Sequence, residues 1–501
     1  MDARDRLSPG PTTSRFVAAA ALATGVVASP AVAQSFDKLP YVYTRQPEVF
    51  ARLFQTARTK LVHGLIFGDS QETCPQGAGE QYIINLNREF ADWFGSCDAT
   101  PWCRAGASFG GGNPWGEWLV RAANAPPGPV PRPYPERWLP PGMQACTVSS
   151  MNGRNTNNNQ DFGWLVFLDT NARWSHPDTR CGGRPFFETR SGVFLELMAR
   201  SEPESSELVA RVATTNRHAP FYYEEFTRNY TTSMRLNDSK GEIRTQRLGP
   251  FALPRGRTIQ AEIGGTDPRR TTTLISARFV AANPRGLVVT DIAEGGYLSG
   301  TIAQEHPNCG PVLSKLGADF AIIAYGANDI AFGVPPASYR ENVTKLIRFV
   351  RANTTADLPV VVLCDPHRSA NIPRQAATQE GLPAEAYKIA RADPNVLFLN
   401  SRRLTDDRGW TARRYTEFCL DGVHYNSRGA DTKAREETQA LLWAFACPAD
   451  RNADGFADAF DLDTFLTQFD FGLPEADFDG DSFVDGFDIA EFLDAFERGC
   501  G

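Results

Sequence analysis

Apolar and polar positions follow a helical period in two stretches near the start of the chain, 47–60 and 82–94. Between them lies a short apolar run, 61–67, which ends at Gly68. A run of this length bounded by a turn residue predicts a buried strand, and the flanking periodicity predicts a helix on each side. Gly68-Asp69-Ser70 follows the strand, and all three residue types are also ordinary turn formers.

From Leu287 onward, apolar runs that end in turn residues alternate with segments of helical spacing. The runs are GLVVTDIA, ADFAIIAYG, DLPVVVLC and NVLFLN, and the helical segments lie around 308–316, 338–352 and 384–392. Strands that alternate with helices predict parallel βαβ units. We therefore predict an α/β fold with a doubly wound parallel sheet, whose active site lies at the carboxyl ends of its strands.

The stretch between about 161 and 283 has a different pattern. Short runs rich in β-branched and aromatic residues are separated by turn residues; they are GWLVFLD, GVFLELMAR, ELVARVATT, PFYYEEF, EIRTQRL, TIQAEIGG and TLISARFVA. Regularly spaced short strands predict a β-sandwich or jelly roll, and no helix is predicted here. The Gly/Pro-rich stretch before it is typical of loops or a linker.

The N-terminus has the pattern of an export signal. Three arginines precede the apolar run 16–28, and Ala31-Val32-Ala33 fits the small-x-small cleavage rule, which gives a mature start at Gln34. The alternative is a membrane anchor, but a span needs about 20 apolar residues and this run is shorter. We expect a secreted or periplasmic protein with no transmembrane anchor after cleavage.

Charge and cysteine content narrow the function classes. With 51 basic and 59 acidic residues the net charge is −8, which argues against a nucleic-acid partner because such proteins carry a basic surface. The ten cysteines suit an oxidising compartment, and none forms the CxxC pattern of a zinc site. Cys97 and Cys103 are close enough in sequence for a local disulfide, but the pairing in general stays open.

Residues suited to nucleophilic catalysis follow the predicted strands. These segments are Gly68-Asp69-Ser70, Glu294-Gly295-Gly296, Gly326-Ala327-Asn328-Asp329 and, near the end of the α/β part, Asp421-Gly422-Val423-His424. Together they offer a hydroxyl nucleophile, glycine backbone donors, a side-chain amide and an Asp/His pair. A serine hydroxyl needs a base to remove its proton, and a histidine can be that base.

The ordered motifs G-D-S, G-A-N-D and D-G-V-H resemble those of the SGNH hydrolase superfamily, also called GDSL esterases. The resemblance covers 61–70 and 287–446, and it implies a flavodoxin-like sheet and no cofactor for catalysis. It implies a triad in which Ser70 is the nucleophile, His424 the base and Asp421 the group that orients the imidazole.

The same resemblance implies an oxyanion hole. Its donors would be the Ser70 backbone N–H, a glycine N–H and the Asn328 side-chain amide. Gly296 is the chosen glycine, and Gly295 competes with it.

Each role has a structural alternative. His424 can be a surface loop histidine and Asn328 can cap a helix, while Asp69 belongs to the turn rather than to the chemistry. The other histidines show no partner at ligand spacing and are assigned structural roles, His367 after a strand end being the main exception. The remaining four are His63, His176, His218 and His306.

The spacing of the motifs departs from the family pattern. More than 200 residues separate Ser70 from Gly296, so the β-rich stretch is an insertion into the catalytic sheet. This resembles bacterial peptidoglycan and polysaccharide O-acetylesterases, in which the extra module helps to form the substrate cleft; the alternative is a structural decoration. Trp102, Trp115 and Trp118 could stack on sugars or belong to the core.

Two related acidic segments, starting at Asp450 and Asp477, close the chain and repeat after 27 residues. Each places oxygen ligands at positions 1, 3, 5, 9 and 12 of a calcium loop, with Phe456 and Phe483 offering carbonyls at position 7. The first set is Asp450, Asn452, Asp454, Asp458 and Asp461; the second is Asp477, Asp479, Asp481, Asp485 and Asp488. Bound Ca²⁺ explains this crowding better than a solvated acidic tail.

The acidic repeat resembles a dockerin type I module rather than a standard EF-hand. Position 12 is Asp instead of Glu, and Ser482 replaces the Gly at position 6 of the second loop. The resemblance implies structural Ca²⁺ and a cohesin-like protein partner. Cys447 and Cys500 bracket the module and are candidates for a closing disulfide.

These features predict five parts and one main function. The parts are a signal peptide (1–33), a hydrolase domain in two pieces (34–95 and 286–446), an inserted loop-rich and β-sandwich-like region (96–285) and the dockerin-like module (447–501). The function is hydrolysis of small acyl esters, mainly acetyl esters on a glycan. The alternatives are a non-catalytic carbohydrate-binding or scaffold protein and an O-acetyltransferase that uses the same triad.

Overall fold

The computed structural model describes the larger part of the chain after residue 38. The described residues are 39–73, 79–94, 98–99, 102–104, 118–120, 143–144, 164–169, 192–201, 203, 205, 207–215, 230–235, 242–252, 258–265, 272–293, 296–305, 309–363, 376–407, 415–420, 423–446, 449, 451, 457–473, 476–478 and 483–498. The predicted signal peptide lies outside them. No helix in these ranges is long and apolar enough to cross a membrane.

Sixteen strands and twelve α-helices lie in the described ranges. The strands are β1 (Val42–Thr44), β2 (Leu61–Gly68), β3 (Cys103–Arg104), β4 (Trp118–Val120), β5 (Met143–Gln144), β6 (Trp164–Asp169), β7 (Val193–Ser201), β8 (Leu208–Thr215), β9 (Tyr230–Met234), β10 (Glu242–Phe251), β11 (Thr258–Gly265), β12 (Thr272–Ala281), β13 (Gly286–Asp291), β14 (Phe320–Ala324), β15 (Val360–Leu363) and β16 (Val396–Leu399). The helices are α1 (Pro47–Ala57), α2 (Ser70–Thr73), α3 (Gly79–Phe94), α4 (Thr301–Glu305), α5 (Gly310–Leu316), α6 (Ala327–Ala331), α7 (Pro336–Ala352), α8 (Ala376–Ala392), α9 (Ser401–Asp407), α10 (Ser427–Ala446), α11 (Ala459–Asp470) and α12 (Gly486–Arg498). A 3₁₀ turn, Tyr415–Glu417, precedes α10.

A six-stranded sheet carries the catalytic motifs. Its order is β1-β16-β15-β14-β2-β13, and every neighbouring pair is parallel except the edge pair β1–β16. Numbered by sequence, the five parallel strands follow the order 2-1-3-4-5, which is that of flavodoxin-like sheets. The predicted α/β class with a parallel sheet is confirmed.

Helices cover both faces of this sheet, because alternate strand residues point to opposite sides. On one side, Leu65 and Phe67 of β2 pack in a core with residues of α5, α7 and α8. On the other side, Val62 and Ile66 pack with residues of α1, α3 and α10. The strands are therefore almost continuously apolar, as expected for a sheet buried on both faces.

The region between β2 and β13 contributes two further five-stranded sheets. One has the order β10-β7-β12-β3 with β5 beside β12, and the other has the order β4-β6-β11-β8-β9. Only strands are found in the described residues between 161 and 283, as predicted, although β9 was not predicted and PFYYEEF lies outside the described residues. A β-sandwich arrangement of the two sheets stays a prediction, as do the domain boundaries.

The acidic repeat contains two helices, α11 and α12, which begin 27 residues apart at Ala459 and Gly486. Phe465 and Phe492 stack with ring centroids 4.1 Å apart and planes only 1° from parallel. They occupy equivalent places in the two halves, because their numbers differ by the repeat length of 27. Together with Ala449, Ala476 and Ala495 they form a small core of their own.

Candidate active site

Ser70 lies where strand β2 ends and helix α2 begins. The neighbouring strand β14 ends at Ala324, and Asn328 follows it in α6. Strands β2 and β14 are the first and third parallel strands in sequence, so the chain order reverses between them. In open α/β sheets the crevice at the carboxyl ends of such a strand pair is the usual ligand site.

The structure brings Ser70 and His424 together although 354 residues separate them: Nε2 of His424 lies 3.0 Å from the Ser70 hydroxyl oxygen. The hydroxyl donates to this ring nitrogen when the nitrogen is unprotonated. Both side chains are partly exposed, so a substrate can reach them. Their contact is the geometry expected for a nucleophile and its base.

The segment that carries His424 is held by a narrow loop. Cys419 and Tyr425 pair as an antiparallel bridge, and the Leu420 N–H donates to the His424 carbonyl over 2.9 Å. The Asn426 N–H donates to the Phe418 carbonyl over 2.9 Å, and helix α10 starts one residue later. Asp421 lies within this loop but outside the described residues, so its predicted role is untested.

Asn328 and the loop of Gly296 are also adjacent. The Asn328 amide nitrogen donates to the Tyr297 carbonyl over 3.0 Å, and the Asn328 side chain is 9% exposed. An amide NH₂ carries two hydrogens, and this contact uses one of them. Gly296 has φ +84°, a left-handed conformation that favours glycine, and it is exposed. Gly295 lies outside the described residues.

Two buried aspartates tie these loops to each other. Asp69 accepts from the Gln71 N–H over 2.9 Å and from the Asn328 N–H over 3.3 Å, and thus joins the serine turn to α6. Asp329 accepts from the Ser299 hydroxyl over 2.6 Å and from the Ser299 N–H over 3.1 Å, and thus joins α6 to the Gly296 loop. Asp69 therefore has the structural position that the sequence suggested.

Burial and the nearby carboxylates raise the pKa of one tyrosine beside this site. Tyr325 directly follows β14 and is 1% exposed. Its pKa lies well above the ordinary value, first because of burial and then because of Asp69 and Glu72. The Tyr325 phenol is therefore neutral at physiological pH.

His63 and Trp102 lie away from the chemistry. His63 is buried in β2, where Nδ1 is 3.1 Å from the Leu316 carbonyl and Nε2 is 2.7 Å from the Thr290 hydroxyl. Burial and then the charge of Arg278 lower its pKa to about 3. The Trp102 side chain is 5% exposed under the Arg278 guanidinium, so for Trp102 the core alternative is correct and sugar stacking is wrong.

The remaining predicted residues cannot be placed. The histidines His176, His218, His306 and His367, together with Trp115, lie outside the described residues. The predicted disulfide partners Cys97, Cys447 and Cys500 also lie outside them.

Half of the predicted calcium ligands lie in the described residues: Asp458, Asp461, Asp477, Asp485 and Asp488. Asp461 accepts from the N–H groups of Arg451 (2.6 Å) and Asp458 (2.9 Å). Asp488 makes the same two contacts, with Phe478 (2.6 Å) and Asp485 (2.7 Å). The described residues contain no cluster of three metal-ligating side chains, and the other five predicted ligands lie outside them.

Comparison with known families identifies the catalytic part. The model of the GDSL-like lipase/acylhydrolase family matches residues 258–432. The chain contains a GDSL-type acylhydrolase domain. The match includes the segments of Asn328 and His424 and begins after Ser70. It confirms the predicted hydrolase class, and no curated protein matches the chain.

Several solved structures are similar to this chain. A peptidoglycan O-acetylesterase is 14% identical, with a TM-score of 0.48, over 81% of this chain and 99% of its own. A Bacillus subtilis protein is 13% identical (TM-score 0.28; 56% and 80% covered). A carbohydrate esterase of family 3 from Talaromyces cellulolyticus is 20% identical (TM-score 0.26; 33% and 76% covered).

Three buried residues around the serine turn were not predicted from the sequence. Gln71 donates through Nε2 to the Val423 carbonyl over 2.6 Å, directly before His424. Glu72 accepts from the Asp69 N–H over 3.1 Å and from the Lys433 ammonium over 2.9 Å. The only sequence signal was their nearness to a motif, because the Gln71–Val423 and Glu72–Lys433 contacts join positions more than 350 residues apart.

Proposed function

We propose that this GDSL-type protein is a secreted serine esterase that hydrolyses small acyl esters, chiefly acetyl esters on a polysaccharide or other glycan. The proposal is carried by the 3.0 Å contact between the Ser70 hydroxyl and His424 Nε2 beside the ends of β2 and β14. The acylhydrolase family match supports the reaction class.

In the proposed mechanism, His424 removes the Ser70 proton as the oxygen attacks the ester carbonyl. The oxyanion would be stabilised by the Ser70 N–H, the Gly296 N–H and the Asn328 amide. His424 then returns the proton to the leaving alcohol, which gives an acyl-enzyme. A water molecule activated by the same histidine releases the acid, while Asp421 orients the imidazole.

The glycan substrate is proposed from features outside the triad, because the triad residues act on any small acyl ester. The predicted export signal and the inserted β-rich region make this chain similar to O-acetylesterases that act on cell-wall polymers. An O-acetyltransferase would use the same acyl-enzyme but pass it to a glycan hydroxyl. Transfer of acetyl to an added glycan in place of acetate release would favour that alternative.

The first experiment measures acetate and p-nitrophenol release from simple acetyl esters by the protein starting at Gln34. We expect Ser70→Ala to lose activity by about 10⁴-fold or more, because the nucleophile of such a triad acts as a unit with its base. Ser314→Ala is the matched control, since Ser314 is an exposed serine on α5 whose hydroxyl donates to the Pro311 carbonyl over 2.8 Å. Equal rates in Ser70→Ala would instead favour the non-catalytic carbohydrate-binding or scaffold protein.

We also propose that the 1–33 segment is a cleaved export signal. The supporting observation is the arginine-flanked apolar run before Ala31-Val32-Ala33. N-terminal sequencing of the exported protein should read from Gln34, and a retained N-terminus would exclude cleavage.

For the C-terminal module we propose structural Ca²⁺ and a cohesin-like partner. The two halves expose the same apolar side chains, Phe460 and Phe487 at 71% and Leu466 and Leu493 at 40%. Exposed apolar residues repeated in this way are typical of a recognition surface. Binding to an immobilised cohesin domain, lost in Phe460→Ser/Phe487→Ser, is the test; unchanged capture would exclude this surface.

A further inference from the structure

A group of charged side chains is completely buried behind the serine turn. Lys433 on α10 and Glu72 on α2 form an ion pair of 2.9 Å in which neither side chain is exposed. Glu437 lies one turn further along α10, 3.8 Å from the same ammonium, and accepts from the Tyr82 hydroxyl over 2.6 Å. The ammonium also lies 4.0 Å from the centre of the Tyr82 ring.

Glu72 holds the turn that presents the nucleophile. Its Oε2 accepts from the Asp69 N–H over 3.1 Å, and its own N–H donates to the Asp69 carbonyl over 3.2 Å. Glu72 thus bonds both the backbone N–H and the backbone carbonyl of Asp69, the residue directly before Ser70. The carboxylate also packs against Gly68, where an added Cβ would collide with Oε2 and displace it.

A carboxylate in this position needs a fixed cation. Moving an ion from water to a protein interior costs several kcal/mol, and removing one partner of a buried pair leaves the other charge uncompensated. Burial alone would lower the pKa of Lys433, but Glu437 and the other acidic groups around it outweigh burial and raise it well above its ordinary value. Lys433 therefore remains charged opposite Glu72.

We propose that Lys433 is a positioning residue for the nucleophile: its ammonium holds the Glu72 carboxylate against the Asp69 N–H and thereby fixes Ser70 opposite His424. The inference rests on the proposed function of Ser70. Helix α10 begins three residues after His424, so one helix adjoins the base and anchors the nucleophile turn. The ion pair thus joins the two pieces of the catalytic part across the insertion.

The test compares Lys433→Met with the double variant Glu72→Gln/Lys433→Met. Active sites are titrated with an organophosphate that labels Ser70, so that kcat refers only to folded protein. We expect kcat of Lys433→Met to fall by about 10- to 100-fold with KM within about twofold, because small misplacements of a reacting group cost this much. The double variant should return to within about threefold of wild type, since the Gln oxygen accepts from Asp69 without a buried charge.

Arg435→Met is the matched control, because Arg435 lies on the same helix, has a side chain that is 42% exposed and forms ion pairs with Asp431 and Glu436. Wild-type kcat per titrated site in Lys433→Met, or no recovery in the double variant, would overturn the proposal. A wild-type protein that is neither labelled at Ser70 nor active would instead refute the proposed function itself.

A second comparison applies if Lys433→Met does not fold. The variants Glu72→Gln/Lys433→Met and Glu72→Leu/Lys433→Met carry no charge at positions 72 and 433 and retain the same Glu437 carboxylate. They differ in whether residue 72 can accept from the Asp69 N–H. The proposal expects kcat at least about tenfold lower in the Leu variant, the cost of a misplaced nucleophile. Equal kcat in the two variants would overturn it.

Discussion

At the scale of single residues, Gln71 links the turn of the nucleophile Ser70 to the loop of the base His424. Its side chain is 2% exposed and donates to the Val423 carbonyl over 2.6 Å. The motifs allowed Ser70 and His424 to be predicted because each follows a strand or loop of recognisable sequence. Gln71 could not be predicted, since its contact depends on two segments that meet only in the folded chain.

We expect Gln71→Glu to lower kcat by about 10-fold or more with little change in KM, because a misplaced base affects the reaction more than binding. A carboxylate cannot donate to the Val423 carbonyl. One of its oxygens would instead face the carbonyl oxygen, and the lone pairs of the two atoms repel each other. Steady-state kinetics on an acetyl ester is the measurement. Gln55→Glu, an exposed substitution on α1, is the control, and equal kcat in both variants would contradict the positioning role.

At the scale of elements, the alternating pattern predicted most of the catalytic sheet and its helices. Helix α8 begins at Ala376, eight residues before the predicted 384, and contains Pro383. A proline normally marks the first turn of a helix, so the preceding residues did not suggest helix. Lys433 lies in the polar sequence SRGADTKAREETQ. The pattern of polar residues in this sequence indicates a solvated helix face rather than a buried ion pair.

Strand β2 contains His63, whose pKa of about 3 gives the fold a specific pH dependence. Below the ordinary value of 6.5 the unfolded chain protonates this residue while the folded chain does not. Stability present above that pH is therefore lost as the pH falls toward 3, by up to about 1.4 kcal/mol per unit from this group. Urea unfolding between pH 7 and 4.5 should show a flatter pH dependence in His63→Gln, and parallel curves would contradict this.

At the scale of the molecule, the region between β2 and β13 shares a hydrophobic core with the six-stranded sheet. Met198, Ile243 and Ile275 of that region belong to the same hydrophobic cluster as Leu65 and Phe67 of β2. The Trp102 N–H also donates to the Thr290 hydroxyl of β13 over 2.9 Å. The sequence indicated an inserted β-rich region. Its packing against the six-stranded sheet could not be predicted, because an apolar strand face can pack against any other apolar face.

The C-terminal repeat leads to a prediction about metal removal. Asp461 and Asp488 each direct both carboxylate oxygens into the preceding loop, where they accept from the second and ninth residues. Each oxygen has a further lone pair for a cation, so the described half of each loop is compatible with Ca²⁺.

We expect calorimetry to show two Ca²⁺ per chain. Either Asp461→Asn or Asp488→Asn should bind one Ca²⁺, because the new amide hydrogens oppose the loop N–H groups. Chelation should lower the stability of the module, by about 2.7 kcal/mol for each Ca²⁺ site if the free Ca²⁺ had been 100 times Kd. It should leave ester hydrolysis unchanged, since the proposed mechanism uses no metal; loss of kcat on chelation would refute that separation, and an absence of binding would refute the calcium assignment.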